Sequence, residues 1–443
     1  MPRATEPARR RRRGPRLPAP GELERPWLAS YPPGVPPSYS RPDVPVTRFL
    51  DDAVRDFPGV TAVDAGAAQL TYAQLGDAVD ALAGALDRRS VSVGSRVGLQ
   101  LDNDILAPVA LLAALRVGAV VVPVATDTSP PDGLDAVLSS RPDVARDAAP
   151  LVVADRHRLG RTWRDRLRPR RSRSMEIPEG VVSAGELLDE SNPAPVQAAL
   201  GPDAPALEVV LAGEPYVLSH ANLVAASFQA RLWVPDEQAG RERILVGIPI
   251  TDPVGVTAGV LHAVLSAATL VLCEPLSAAA LGHVIDDRHP TLLYAPASVY
   301  AELVHRRDGH DLTSLRACLA LGSPLDADTA DRFEQAAGGA RLRSLYVPVG
   351  AGLPTHANPI YGRSRRGTIG LPLTDTVAVV VDERARKLVR PGRPGRLAVQ
   401  GPQLPPVSAE GGWLITGEWV RGDEDGSFAL VDALDGAVTE ESA

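Results

Sequence analysis

Hydrophobic positions in the first third of the chain alternate between helical spacing and short apolar runs. Leu75, Val79, Leu82 and Leu86 share one face of a predicted helix. Because apolar helices and apolar strands follow one another, the pattern indicates a parallel sheet covered by helices. Helices are predicted over 105–117 and 132–140, and strands over 96–101, 120–123 and 151–154.

The same alternation resumes near residue 245 and changes after residue 370. Beyond that point, short apolar runs at 377–381, 396–399 and 428–431 are separated by Pro and Gly turns, which predicts a small β-barrel-like subdomain. The alternating part predicts strands over 245–248, 269–273, 292–295 and 315–319, with helices over 256–266, 281–287 and 297–305.

These patterns predict an α/β fold with two parallel-sheet subdomains, about 25–205 and 206–370, followed by a β-subdomain over 371–432. Arginine and proline runs interrupt the alternation at 155–205, which is interpreted as a surface insertion or linker. Residues 1–24 are expected to form a disordered, Arg- and Pro-rich arm. A solvated tail is favoured there over an arm that contacts nucleic acid or membrane.

Composition restricts the classes of partner. The formal net charge of −8 gives no overall attraction to nucleic acid, so no nucleic-acid partner is expected. Cys273 and Cys318 lie in apolar runs, and no CxxC or HExxH motif occurs, so no metal site is expected.

Two long apolar runs, 105–125 and 254–273, raise the question of a membrane span. Arg116 lies near the middle of the first run, and His262 interrupts the second. A central charge is costly in a bilayer, so each run is interpreted as a buried helix followed by a buried strand. No transmembrane segment is expected, and a cytoplasmic location is predicted.

Short motifs from about residue 25 to residue 432 follow the order found in a known family. They resemble motifs of the adenylate-forming (AMP-binding) superfamily, and those of bacterial long-chain fatty-acid–CoA ligases most closely. The resemblance implies the large N-terminal domain of an acyl-CoA ligase. The motifs are LRVGAVVVPV at 115–124, LSHANL at 218–223, DLTSLR at 311–316, GSPL at 322–325, THANP at 355–359, GTIGLP at 367–372, PGRPGRL at 391–397 and GPQ at 401–403.

The phosphate-loop motif of that family is shortened here. Family members carry a Gly/Ser/Thr run and a lysine just before L-[ST]-H-x-N-L. Only Ala212 and Gly213 remain of the run, and Glu214 occupies the lysine position. A glycine-rich loop binds phosphate because its backbone N–H groups point at the anion, whereas a carboxylate repels it.

Other positions that the resemblance assigns to chemistry also depart from the family pattern. Val349 and Gly350 replace a threonine and a glutamate that contact AMP phosphate and magnesium, and Asp252 replaces a histidine. Glu418 keeps the carboxylate that holds the ribose hydroxyls. Asp432 belongs to a hinge motif, beginning at Val431, that has lost its arginine. Residues 433–443 are therefore interpreted as a truncated hinge tail, with no C-terminal swinging domain and no catalytic lysine from it.

The retained positions are interpreted as a vestigial nucleotide pocket, with alternatives. The turn at 322–324 either flanks an adenine or is a plain turn, and Tyr346 either stacks on a base or fills the core. His220 and Asn222 are favoured as residues that cap or orient a helix, and Asp252 as a loop cap. The pocket comprises Gly213, Ser219, Gly322, Ser323, Pro324, Tyr346, Glu418 and Asp432.

The combined losses predict a pseudoenzyme of lipid metabolism. Removing one positioned transition-state donor costs about 2.7–4 kcal/mol, so no intact catalytic residue and little or no adenylation are expected. No cofactor is expected, and the predicted partners are a fatty acid or acyl chain, an active acyl-CoA ligase or an acyl carrier. The alternative is a divergent fatty-acid–CoA ligase that uses ATP, magnesium and CoA with a C-terminal domain supplied in trans. A third possibility is a decaying gene product without a role.

Overall fold

The computed structural model describes residues 17–66, 68–141, 151–153, 181–184, 198–211, 214–305, 309–322, 325–382, 384, 387–405 and 412–431. These residues form three β-sheets, of nine, seven and four strands. Helices cover the two larger sheets, which confirms the predicted α/β architecture.

The strands, in chain order, are β1 (Thr61–Asp64), β2 (Gln69–Thr71), β3 (Arg96–Gln100), β4 (Val120–Pro123), β5 (Ala136–Ser139), β6 (Leu151–Val153), β7 (Val181–Ser183), β8 (Pro205–Leu211), β9 (Glu214–Ser219), β10 (Arg243–Val246), β11 (Thr269–Val271), β12 (Leu292–Pro296), β13 (Ala317–Leu321), β14 (Arg341–Tyr346), β15 (His356–Ala357), β16 (Leu371–Pro372), β17 (Val377–Val381), β18 (Pro394–Gln400), β19 (Leu414–Gly422) and β20 (Phe428–Leu430).

The α-helices are α1 (Arg48–Asp56), α2 (Tyr72–Arg88), α3 (Leu106–Arg116), α4 (His220–Leu232), α5 (His262–Leu265), α6 (Ala278–Arg288), α7 (Ala297–His305) and α8 (Ala327–Ala336). A π-helical segment, Gly255–Leu261, runs directly into α5. None of the helices in the described ranges combines the length and apolar character that a membrane crossing requires.

The seven-stranded sheet has the order β7-β6-β5-β3-β4-β8-β9. All its neighbours pair in parallel except β8 and β9, which form an antiparallel hairpin at one edge. The nine-stranded sheet has the order β16-β15-β14-β13-β12-β10-β11-β1-β2, parallel from β14 to β1. Both sheets therefore have parallel centres, as the apolar strands predicted.

The seven-stranded sheet consists of the consecutive strands β3 to β9 and is inserted between β2 and β10 of the nine-stranded sheet, so the predicted division near residue 205 is wrong. Strand β1 precedes the whole seven-stranded sheet, yet it pairs in parallel with β11, with Val63 opposite Leu270. Conversely, β8 and β9 lie beyond residue 205 but complete the seven-stranded sheet. Tertiary pairing determines which sheet each strand joins, and local sequence patterns do not encode that pairing.

Three local predictions also differ from the structure. The predicted helix 132–140 contains strand β5, all four residues of which are buried between β3 and β6. Strand β7 lies inside the predicted insertion 155–205 and extends the sheet edge. The arm cannot extend to residue 24, because Leu17 is buried and the Pro18 carbonyl accepts a hydrogen bond from Trp413.

The predicted barrel-like subdomain is an antiparallel sheet of order β17-β18-β19-β20.

The sheets are joined at the end of β3 by the side chain of Asn103. Its Nδ2 donates to the Ile248 carbonyl at 2.8 Å, and its Oδ1 accepts from the Ile250 amide at 2.9 Å. Asn103 is 3 % exposed, and both of its polar atoms are satisfied by the segment after β10. This one amide therefore fixes the segment that follows the second sheet against the first.

A buried arginine stabilises helices α1, α2 and α3, of which α2 contacts the nine-stranded sheet and α3 the seven-stranded sheet. Arg116, the charge within the apolar run of α3, is 7 % exposed. Its guanidinium lies 2.9 Å from Asp51 Oδ1 on α1 and 2.6 Å from Asp80 Oδ1 on α2. Three helices are thus tied by one cation, which explains why a charge is tolerated in this run.

Replacing Arg116 with alanine is expected to lower the free energy of unfolding by about 2–4 kcal/mol. Breaking a fully buried pair costs about 3–5 kcal/mol, and the two aspartates here keep partial contact with water. Urea unfolding followed by circular dichroism measures the change. The matched control is Arg332→Ala, which removes the exposed pair with Asp328 and should cost under about 1 kcal/mol. Equal losses in the two variants would contradict the interpretation.

Candidate functional site

A cavity of about 580 Å³ opens where the carboxyl ends of parallel strands from both large sheets meet. Ligands in open α/β sheets bind at this edge, so the location itself indicates a binding site. The walls come from the ends of β4, β10, β13 and β14 and from β8, the strand next to the sheet edge. The lining residues are Val122, Pro123, Glu208, Val209, Val210, Ile248, Pro249, Asp252, Pro253, Val254, Leu321, Val347, Pro348, Val349, Gly350 and Gly352.

The charged residues of this lining are two carboxylates, Glu208 and Asp252, and neither lysine nor arginine is among them. Glu208 accepts hydrogen bonds from Arg96, with its Oε2 2.9 Å from Nη2, so its charge is balanced. The remaining wall is almost entirely apolar. The described cavity therefore favours a hydrocarbon or aromatic group over a polyanion.

The shortened phosphate-loop motif forms the hairpin between β8 and β9. Leu211 pairs with Glu214, so Ala212 and Gly213 are the whole connection between two paired strands. Both connecting residues lie outside the described residues. Glu214 is exposed and belongs to the strand, as the first residue of β9. A hairpin this short has no room for the longer run of backbone N–H groups that cradles phosphate.

The residues after the hairpin hold helix α4. Ser219 Oγ accepts from the Asn222 amide and the Asn222 side chain accepts from the Ser219 amide, which is a complete capping box. Asn222 Nδ2 also donates to the carbonyls of Pro402 and Leu404. The capping interpretation of Asn222 is thereby confirmed. Ser219 acts as the N-cap and is not among the lining residues of the cavity, which differs from its predicted place in the pocket.

The segment after β14 lies at the cavity mouth. Val349 is 72 % exposed, and Gly350 has a φ of 84°, a left-handed conformation that favours glycine. The Val349 amide donates to Glu418 Oε1 at 3.0 Å. The carboxylate assigned by resemblance to the ribose is therefore already engaged by the backbone of this segment.

Tyr346 lies below this segment at 3 % exposure and packs in the core of the β-subdomain. Burial, together with the nearby Glu418 carboxylate, raises the pKa of its phenol well above the usual value. Of the two predicted alternatives for Tyr346, the structure favours the core residue, because the side chain is not among those lining the cavity.

Asp252 stands at the start of the π-helical segment. Its Oδ1 accepts from the Val254 amide at 2.9 Å, so the predicted cap is present. Desolvation raises the pKa of the carboxyl, against hydrogen bonds from the Val254 and Gly255 amides that lower it. Asp252 is thus the one lining carboxylate without an arginine partner among the described ion pairs.

The turn after β13 is only partly described. Gly322 is exposed with a φ of 96°, directly after Leu321 of the cavity wall. Ser323, Pro324 and Asp432 lie outside the described residues, so their predicted places in the pocket remain predictions. Sequence reasoning missed the walls contributed by Val209, Val210 and Val254. The carboxyl-end rule could have found the β4 and β13 positions, whereas Val209 and Val210 lie on β8, before the residues that the shortened motif retains.

Two histidines near these elements are buried. Burial lowers the pKa of His220 to about 4 and that of His356 to about 3. His220 Nδ1 lies 3.4 Å from the Val46 amide, and the ring of His356 packs edge-on against Phe428. Both histidines are neutral parts of the core, which agrees with the interpretation of His220 as an orienting residue.

The comparisons with known proteins agree with this geometry. The AMP-binding enzyme family matches residues 50–162 and 216–406. A long-chain-fatty-acid–CoA ligase of Bacillus subtilis is 24% identical over 93% of this chain and 80% of its own length.

Solved structures show the same fold. A long-chain-fatty-acid–CoA ligase from Archaeoglobus fulgidus has a TM-score of 0.73 at 16% identity, covering 93% of this chain and 89% of its own. An anthranilate–CoA ligase in complex with anthranoyl-AMP has a TM-score of 0.75 at 17% identity, covering 88% and 77%. These likenesses confirm the predicted acyl-CoA-ligase type of fold.

Acidification is expected to destabilise the protein partly through His220. The unfolded histidine takes up a proton near pH 6.5, but the folded one does so only near pH 4. Between these values the unfolded state binds more protons than the folded state. The free energy of unfolding therefore decreases as the pH is lowered, by up to about 1.4 kcal/mol per pH unit for one histidine. Urea midpoints should therefore depend less steeply on pH in His220→Gln than in the wild type. His305→Ala, at an exposed histidine, is the control, and an unchanged slope in His220→Gln would refute the assignment.

Proposed function

The chain belongs to the AMP-binding enzyme family, and we propose that it binds an acyl or aryl carboxylic acid while carrying out little or no adenylation. The observation that carries this proposal is the charge of the cavity. Among the described residues, the lining combines apolar walls with two carboxylates, Glu208 paired with Arg96 and Asp252 without an arginine partner, and contains no basic side chain.

Adenylation requires a triphosphate to be held and its charge neutralised, because catalysis of phosphoryl chemistry consists largely of positioning and electrostatic stabilisation. An unpaired anion in an apolar site is strongly disfavoured. The unbalanced Asp252 adds repulsion to this cost, and the two-residue hairpin supplies no extended cradle. Each of these features acts against ATP in the cavity.

The residues present also do not fit a magnesium–nucleotide complex. Magnesium is bound by free carboxylates together with phosphate oxygens. Asp252 is engaged as a cap, Glu208 is paired with Arg96, and Glu418 accepts from the Val349 amide. All three carboxylates therefore already have partners in the protein, which argues against a magnesium–nucleotide complex at this site.

An apolar ligand suits the same cavity. A volume of about 580 Å³ falls within the range of about 300–1,000 Å³ that is typical of small-molecule sites, and each buried methylene contributes about 0.8 kcal/mol. Relatives act on long-chain fatty acids, and a structural neighbour acts on anthranilate. We propose a fatty or aromatic acid as ligand, with its hydrocarbon or ring in the cavity and its carboxylate in solvent at the mouth beside the exposed Val349. The acid would be delivered to or received from an active ligase or an acyl carrier.

A divergent active ligase is the second candidate. It is favoured by Glu418, which keeps a carboxylate at the position that the family uses for ribose, beside an open cavity at the strand ends. In this case ATP with magnesium as its counter-ion and CoA would be used, and Glu418 would release the Val349 amide on binding. Pyrophosphate exchange separates the two candidates.

The purified protein is expected to show no acid-dependent ATP–pyrophosphate exchange above the blank across a panel of fatty and aromatic acids. The loss of several positioned groups, at about 2.7–4 kcal/mol each, should place the rate below detection. An active family member assayed alongside is the positive control. Clear acid-dependent exchange by this chain would establish the second candidate.

Binding of the acid should depend on Val210, which lines the cavity and is 63% exposed. Val210→Asp places a charge on the apolar wall and should raise the Kd of a fluorescent fatty acid or of anthranilate by about ten-fold, or about 1.4 kcal/mol. Val93, 59% exposed and outside the cavity, gives the matched control Val93→Asp, which should change the Kd less than about two-fold. Equal affinities in the two variants would place the ligand elsewhere.

A further inference from the structure

Three potential metal ligands come together away from the cavity. His283 and Asp286 are one turn apart on α6, and His310 belongs to the segment between α7 and β13. One ligand atom from each residue lies within 4.8 Å of the others. None of the three lines the cavity. The sequence did not reveal this cluster, because His310 is distant in the chain from the helical pair.

The acidic member of the cluster is fixed in place. Asp286 Oδ2 lies 2.6 Å from His310 Nδ1, and Asp286 Oδ1 accepts from the Asp311 amide at 2.7 Å. The ring of His283 meets that of His310 edge-on, with centroids 5.1 Å apart.

His310 occupies a place made for it by a glycine. A Cβ at Gly282 would overlap the imidazole, so only glycine lets the ring lie against α6. Glycine within a helix costs about 1 kcal/mol relative to alanine, which here permits the position of His310. The side chain is 4% exposed, and its Nε2 has no hydrogen-bond partner among the described residues.

We propose that His283, Asp286 and His310 form a binding site for a divalent transition metal of the zinc type. Two imidazoles and a carboxylate are a ligand set that zinc accepts, with a fourth position left for water. No other role assigned to this chain requires these residues. The site is independent of the proposed function of the cavity.

The geometry needs only a small adjustment. Bonds of about 2.0–2.1 Å around tetrahedral zinc place neighbouring ligand atoms about 3.3 Å apart. The ion takes the place of the proton between Asp286 and His310 and opens that contact by under about 1 Å, and the neutral His310 ring then carries its proton on Nε2. His283 is exposed, so its side chain can rotate and complete the set of three metal ligands.

A simple ion pair between α6 and the following segment would use Asp286 and His310 but not His283. The decisive variant is therefore His283→Ala, which leaves that pair intact. The matched control is His305→Ala, at an exposed histidine on α7 outside the cluster.

Zinc binding to the untagged full chain is measured by competition with a chromophoric chelator, and cobalt is used as a spectroscopic probe. We expect one-to-one zinc binding, a tetrahedral cobalt spectrum, and a melting temperature that rises with zinc. His283→Ala should weaken zinc at least about ten-fold and abolish the thermal shift. His305→Ala should change neither.

Gly282→Ala provides a second test, because it keeps all three ligands and moves only His310. We expect the helix content to be retained, or slightly raised, while zinc affinity falls by a similar factor. Absence of saturable zinc binding by the wild type would overturn the proposal. So would zinc affinity that is the same in the wild type and in His283→Ala.

Discussion

The side chain of Asn103 holds the segment that follows β10 of one large sheet against the end of the other large sheet. This amide follows β3 of one sheet and bonds both the Ile248 carbonyl and the Ile250 amide, which follow β10 of the other. A buried amide that satisfies both of its polar ends on one backbone segment permits one arrangement of that segment. Since Ile248 and Pro249 line the cavity, the shape of the site follows from this contact.

Much of the fold could be predicted from the sequence because its information is local or carried by ordered motifs. Apolar runs located α3, β4 and β12, and the motif order indicated the ligase type of fold. Strand β5 was missed because Leu134, Val137 and Leu138 have helical spacing. Pairing with β3 and β6 outweighs that local preference.

The candidate site was less accessible to sequence reasoning. Motif positions such as Ser219 and Tyr346 point to the right region, yet the first caps a helix and the second packs in a core. The apolar walls of the cavity come partly from β8, a strand that carries no motif. What a residue type does depends on the partners that the fold supplies, and those partners are distant in the chain.

The insertion of the seven-stranded sheet between β2 and β10 of the nine-stranded sheet has a consequence for biosynthesis. Val63 of β1 and its partner Leu270 of β11 are 207 positions apart. At about 5–20 residues per second, the ribosome releases the first strand roughly 10–40 s before the second. During translation the emerging chain can therefore complete the seven-stranded sheet, β3 to β9, before β11 exists to pair with β1. Until then the early β1–β2 hairpin keeps an unpaired strand edge.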